Sequence, residues 1–272
     1  MITRNRIRLN CKQILAIAEK DLKTVLRYKF SLIMSYINPL IQLIFPFIIM
    51  GIIFSFQASY GPWNAENFLV YLFIGYIFIL TVKIVNLGSR FRIEKYWGTL
   101  QALMVAPFNK FNLLIGMVLT HLIEISIPFI IFLIIIYVIF TISIFTLMFV
   151  ILLFLGVLMI FAGIGFFIGV FVLSKESVAT WFGTLLGFFF LFACISYPYQ
   201  IFPEYIQRIV ALNPVYYIID IIRLAWIEDN VLVTLLNHPY HLIIYFALLI
   251  ICPYLGVSMF NYIFKKYGIE GY

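Results

Sequence analysis

Charge is what this chain has least of. Only 11% of its 272 residues are Asp, Glu, Lys or Arg, against 65% that are hydrophobic. A soluble domain of this size has no interior large enough to hide so much apolar surface, so its solvent is lipid. Cysteine is scarce too. Cys11, Cys194 and Cys252 are an odd number at wide spacing, which gives neither a disulfide framework nor a metal pattern and leaves them as small apolar residues. There is no G-x-x-x-x-G-K-[ST] loop or other phosphate cradle, and no loop between apolar runs could hold an ATPase domain. A membrane enzyme acting on lipids would need nucleophiles, metal ligands or paired carboxylates at the interface, and none has suitable spacing. His238 and His241, three apart with no third ligand, fit an interfacial role instead.

What the chain has in abundance is length of apolar run. A helix needs about 20 apolar residues to cross the hydrocarbon, and six stretches meet this: Phe30 to Phe56, Asn67 to Leu87, Phe111 to Ile139, Thr146 to Leu173, Val178 to Tyr197 and Tyr240 to Phe264. The expected fold is an all-α polytopic bundle of six transmembrane helices with both termini on one side. The excess of 18 Lys and Arg over 11 acids follows topology rather than nucleic acid, because the bases flank the spans. Fifteen of the 18 fall in the N-terminal segment, the loops 89–110 and 174–177, and the tail. The positive-inside rule therefore predicts a cytoplasmic membrane protein with both termini in the cytoplasm.

Residues 1–29 form a separate expected unit. Ile14, Leu15, Ala18, Leu22, Val25 and Leu26 share one helical face, and Lys12, Glu19, Lys20, Lys23 and Arg27 the other. Such a helix is expected to lie flat on the inner surface, its stripe among membrane lipids and its lysines at anionic headgroups. Residues 30–272 then make up the six-helix membrane domain, with a cytoplasmic loop at 89–110 and an outer re-entrant segment at 198–226.

Two segments carry recognisable patterns. In the first loop, RFRIEKYWGTLQALMVAPFNK, the residues Trp97, Leu100 and Met104 recur at helical spacing. Gly98 permits a close turn at the start, and Pro107 ends the short helix. Beyond the fifth run, Tyr197-Pro198, Pro203-Glu204, Asn213-Pro214, Asp220 and Arg223 punctuate a stretch whose prolines divide it into two short helices, neither able to span. Asp220 and Arg223 lie on one face and can pair, which eases their placement near lipid.

Both segments resemble ABC-2 permeases, the membrane subunits of ATP-binding-cassette exporters. GTLQALMVAP is similar to the family's GTLEALLVTP-type coupling helix, with Gln101 where Glu is usual and Met117 where Lys is usual. The resemblance implies that Trp97, Gly98, Thr99, Leu100, Gln101, Leu103, Met104 and Pro107 dock on an ATPase. With Gln at 101, Glu94 or Lys95 would supply any charged contact. The YP, PE, LNP and D-x-x-R landmarks resemble the family's re-entrant outer helices, which implies an outer gate. The working unit implied is two permeases, identical or related, with two cassette ATPases. ATP and Mg belong to those partners, and no cofactor is expected on this chain. The coupling segment resembles drug-resistance-type permeases more than the YFPRE type of polysaccharide exporters. Export of an amphipathic cargo, drug-like or lipid, is therefore the leading expectation, with a lipid-linked polysaccharide as the alternative.

Polar residues inside spans are the remaining candidates. His121 and Glu124 share a face of the third span and either line the path or bond neighbouring helices. Lys83, with Asn86 near the inner end of the second span, can snorkel to headgroups. Pro39 and Pro46 should kink the first span and free backbone carbonyls. Gly156, Gly163, Gly165 and Gly169 should let the fourth span approach a neighbour closely.

Overall fold

The computed structural model describes residues 2–56, 59–86, 96, 98, 110–174 and 176–267. Its helices are α1 (Ile2–Arg27), α2 (Lys29–Phe56), α3 (Phe68–Val82), α4 (Lys110–Ile139), α5 (Ile144–Ser174), α6 (Glu176–Leu191), α7 (Glu204–Ala211), α8 (Pro214–Glu228), α9 (Val231–Asn237) and α10 (Pro239–Tyr267). Single 3-10 turns lie at Lys83–Asn86 and Tyr199–Ile201. Two short strands, β1 (Ser59–Tyr60) and β2 (Trp63–Asn64), pair as a tight hairpin after α2. Among the described residues, five helices are long and apolar enough to cross a membrane: α2, α3 with its 3-10 extension, α4, α5 and α10. The protein is an all-α, multi-pass membrane protein.

The fifth run departs from expectation. Helix α6 stops at Leu191, and its 16 residues cover ~24 Å, less than the hydrocarbon thickness of about 30 Å. The cause is a left-handed backbone at Cys194, φ 54°, which turns the chain aside before Tyr197. The two short helices beyond it meet at 94° across Asn213, so α7 and α8 form a bent pair rather than a straight crossing.

Helix α5 is the axis. Gly163 and Gly256 touch backbone to backbone: a Cβ on Gly163 would stand 2.4 Å from the Cys252 carbonyl carbon, and one on Gly256 would stand 2.5 Å from the Gly163 oxygen. Gly165 lies equally close to the Val85 carbonyl, and Gly156 meets the Tyr245 ring. With no net hydrophobic drive between helices in lipid, such close backbone contact is how membrane helices gain dispersion energy. Helix α2 instead stands at the periphery. Only Pro39, Leu43, Pro46, Met50 and Phe54 are buried, a single stripe at three- and four-residue spacing that faces the bundle.

Helix α1 is not simply laid on a surface. Asn10 and Gln13 accept hydrogen bonds from Asn112, Ile14 and Ile17 cover Gly116, and the Ala18 carbonyl accepts from Thr120. The helix thus runs beside the first turns of α4 in the same direction. Part of the predicted stripe is consumed there, Ala18 being buried, while Leu15 and Leu26 remain exposed. Gly116 is what allows the two backbones to meet.

At the opposite end from α1, called here the far end, a second apolar cluster of Met50, Phe54, Trp63, Tyr71 and Leu72 gathers under the β-hairpin. The Trp63 ring lies edge-on to Tyr71 with centroids 4.7 Å apart.

Candidate functional site

The bundle leaves a groove of about 760 Å³ between α2, α3 and α6. Its walls are largely apolar, with Phe78, Ile79 and Val82 on α3 and Leu186 and Phe190 on α6. Phe202 and Ile206 stand at the far end, and Lys83 and Asn86 at the α1 end. Gly183 and Gly187 face it with no atom within 4 Å of where a Cβ would be, so α6 presents an unfilled surface.

Backbone groups orphaned by the sequence position the polar side chains beside this groove. Pro39 has no N–H, so the Ser35 carbonyl four residues earlier loses its helical donor, and the Lys83 ammonium donates to that oxygen. Where α3 tightens into the 3-10 turn, the α-helical ladder ends. His121 Nε2 lies 3.1 Å from the Leu80 carbonyl at that point. Because a carbonyl can only accept, Nε2 carries a proton. His121 Nδ1 then faces Glu124 Oε2 at 3.3 Å, and a hydrogen bond there requires one further proton shared by the pair. The Tyr36 hydroxyl donates to the Glu124 carbonyl, and the Tyr76 hydroxyl to that of Tyr36 at 3.1 Å. His121 and Glu124 therefore tie α4 to α2 and α3. They stand behind Lys83 and do not line the groove.

The far end is closed by a similar logic. Once α6 ends, its last carbonyls have no helical donors. Asn213 Nδ2 donates to the Phe189 carbonyl at 2.6 Å, and its Oδ1 accepts from the Val215 amide, capping α8. Arg223, fully buried, donates to the carbonyls of Cys194 at 2.8 Å, Ile195 at 2.6 Å and Tyr71 at 3.1 Å, while its guanidinium lies 3.3 Å from the centre of the Tyr71 ring. Tyr71 donates its hydroxyl to the carbonyls of Cys194 and Tyr197. Gly75 makes room for this, since a Cβ there would meet the Ile195 oxygen at 2.7 Å. These contacts describe a largely apolar groove with Lys83 at one end and a tightly knotted far end.

The family model described as ABC-2 type transporter matches residues 12–226, from α1 through α8, and takes in both the groove and the knot. This chain belongs to the ABC-2 type transporter family. No curated protein matches it. As an ABC-2 permease it is the membrane component of an ABC transporter and works with an ATPase partner.

The sequence landmarks of this ABC-2 permease fall as follows. Tyr197 lines the groove, Pro198 starts the 3-10 turn, and Pro203 precedes α7 with Glu204 as its first residue. Pro214 is the first residue of α8 behind the Asn213 cap. The expected Asp220 to Arg223 ion pair is not formed. Arg223 turns to carbonyls, and Asp220 Oδ2 meets His241 Nε2 at 3.2 Å on α10. Arg223 lies among backbone carbonyls in a buried site and three of its N–H groups are taken there, while the partly buried Asp220 is taken by His241. His238, at the end of α9, is likewise taken by Glu228, at 2.9 Å, so the two histidines link α8 to the end of α9 and to α10. In the loop 89–110, Gly98 has the positive φ of 69° that its turn role required. Glu94, Lys95, Trp97, Thr99, Leu100, Gln101, Leu103, Met104 and Pro107 lie outside the described residues.

Sequence reasoning missed Tyr71, Gly75 and Trp63, and read Lys83 as a snorkelling residue only. A signal for Lys83 existed: Pro39 names Ser35 as an acceptor needing a donor. No local pattern marks Tyr71.

Proposed function

We propose that this permease subunit exports an amphipathic molecule, drug-like or lipid, across the cytoplasmic membrane, driven by ATP hydrolysis in a separate nucleotide-binding subunit. The observation that carries the reading is the groove: its volume lies within the range of about 300–1,000 Å³ typical of ligand sites, its bore is largely apolar, and Lys83, the one ionised side chain among its described lining residues, sits at the α1 end. Such a bore suits a molecule with a tail and a head, and suits a hydrated polymer poorly. The distribution of Lys and Arg supports an orientation with the α1 end and both termini in the cytoplasm. The far-end knot is then the outer gate, formed by Tyr197, Pro198, Pro203, Glu204, Asn213, Pro214, Asp220 and Arg223.

The assembly we propose holds two permeases and two cassette ATPases. Closure of the ATPase pair on ATP and Mg presses on the coupling segment, Glu94 to Pro107, and favours one of two bundle packings. Thrust is transmitted only if nucleotide binding distinguishes those packings energetically. The test is reconstitution with the cognate ATPase. Trp97→Ala or Leu100→Asp should abolish ATP-driven transport while membrane insertion stays intact, and undiminished transport in either variant would refute the coupling assignment.

A further inference from the structure

Among the described residues that line the groove the charge is of one sign: Lys83 is there, and no Asp or Glu is. The ammonium is held in place by the Ser35 carbonyl that Pro39 releases. A lysine has three N–H donors, and among the described residues only the Ser35 carbonyl takes one of them. Glu124, the nearest carboxylate in the cluster behind, faces His121 rather than the groove. From Lys83 the bore leads past Phe78, Leu186 and Phe190 to Phe202, and no other ionised side chain lines it among the described residues.

Building on the export of amphipaths proposed above, we infer that Lys83 is a headgroup-recognition point and that the occupant of the groove is an anionic lipid. Its negatively charged headgroup oxygens sit at the Lys83 ammonium, and its acyl chain lies along the α3 and α6 walls. Charge complementarity selects the anion, because an ammonium at the edge of a low-dielectric bore attracts it and repels a cationic head. The apolar bore selects a lipid over a free anion, which would have to shed its water against phenylalanine and leucine. Open Gly183 and Gly187 give the chain its width.

The experiment uses the permease reconstituted with its cassette ATPase in phosphatidylcholine vesicles. Each preparation carries a trace of fluorescent phosphatidylglycerol or fluorescent phosphatidylcholine, and the readout is the ATP-dependent transfer rate between leaflets. The anionic probe should move faster. Lys83→Met should reduce the ratio of the two rates about tenfold, the size expected for one charge-assisted hydrogen bond, and Lys83→Arg should keep it. Equal rates in the wild type, an unchanged ratio in Lys83→Met, or equal slowing of both lipids would overturn the assignment and leave amphipath export standing. Equal slowing would make Lys83 a structural staple alone. ATP-driven movement of an amphipathic dye but of neither lipid would also overturn it, while failure to move any amphipath would sink export itself. Efficient disulfide cross-linking of Gly187→Cys between two permeases at rest would give the groove to a second copy, and equally overturn the inference.

Discussion

Arg223 is the residue on which most of the far end depends. Removing it takes a charged donor away from the carbonyls of Cys194, Ile195 and Tyr71 at a largely buried site. Arg223→Met should therefore destabilise the permease by on the order of 3 kcal/mol, read as a lowered unfolding midpoint in detergent. Arg223→Lys should recover little of this, because a single ammonium cannot fork across three acceptors. Glu228 gives a second test. Burial would raise its pKa, but hydrogen bonds from Thr234, His238 and Asn237 outweigh that and hold it below the usual carboxylate range. A depressed folded-state pKa means the stabilisation is present in full above the unfolded-state value and is lost as pH falls through the folded one. Amide exchange in α9 should accelerate when the medium is acidified below that range. In Glu228→Gln this acid sensitivity should be lost, and a variant with the wild-type profile would show that another group is responsible.

At the level of helices, the glycines divide by what they face. Gly163→Val places side-chain atoms against the Cys252 backbone, which cannot retreat without moving α10. Overpacking of this kind costs roughly 1–3 kcal/mol or more, and reduced yield of folded protein is the expected result. Gly187→Val meets nothing within 4 Å, so folding should be unaffected and any effect should appear in transport. The same contrast explains what was legible in the sequence. Gly156, Gly163 and Gly165 stood out because small residues clustered in an apolar run have few other uses. The long helices were readable because lipid imposes a length on them. Where α6 ends was not, since Phe192 to Tyr197 is as apolar as the helix before it. The break depends on Tyr71 and Arg223 offering hydroxyl and guanidinium donors from elsewhere in the chain. The docking of α1 on α4 was hidden for a related reason, because an amphipathic stripe looks the same whether lipid or another helix covers it.

For the molecule as a whole, the proposed orientation makes a direct prediction. In intact cells a membrane-impermeant maleimide should label Leu232→Cys, exposed on α9, and should reach the exposed Cys11 on α1 only after permeabilisation. The reverse pattern would invert the permease and its direction of transport. The two family-like segments were readable as patterns, whereas the groove was not. It arises where α2, which carries Pro39 and Pro46, and α6, cut short, fail to close on one another, and only the assembled bundle brings Lys83 to its wall.

Arg223 acts as a keystone: the stones it locks come from α3, from the turn beyond α6 and from α8. Shifting any one of them alone would break hydrogen bonds that nothing nearby can replace. In the export cycle proposed above, passage through the far end runs beside this block, with the whole of it swinging as a rigid leaf, and the hinge belongs in the segments flanking it rather than within.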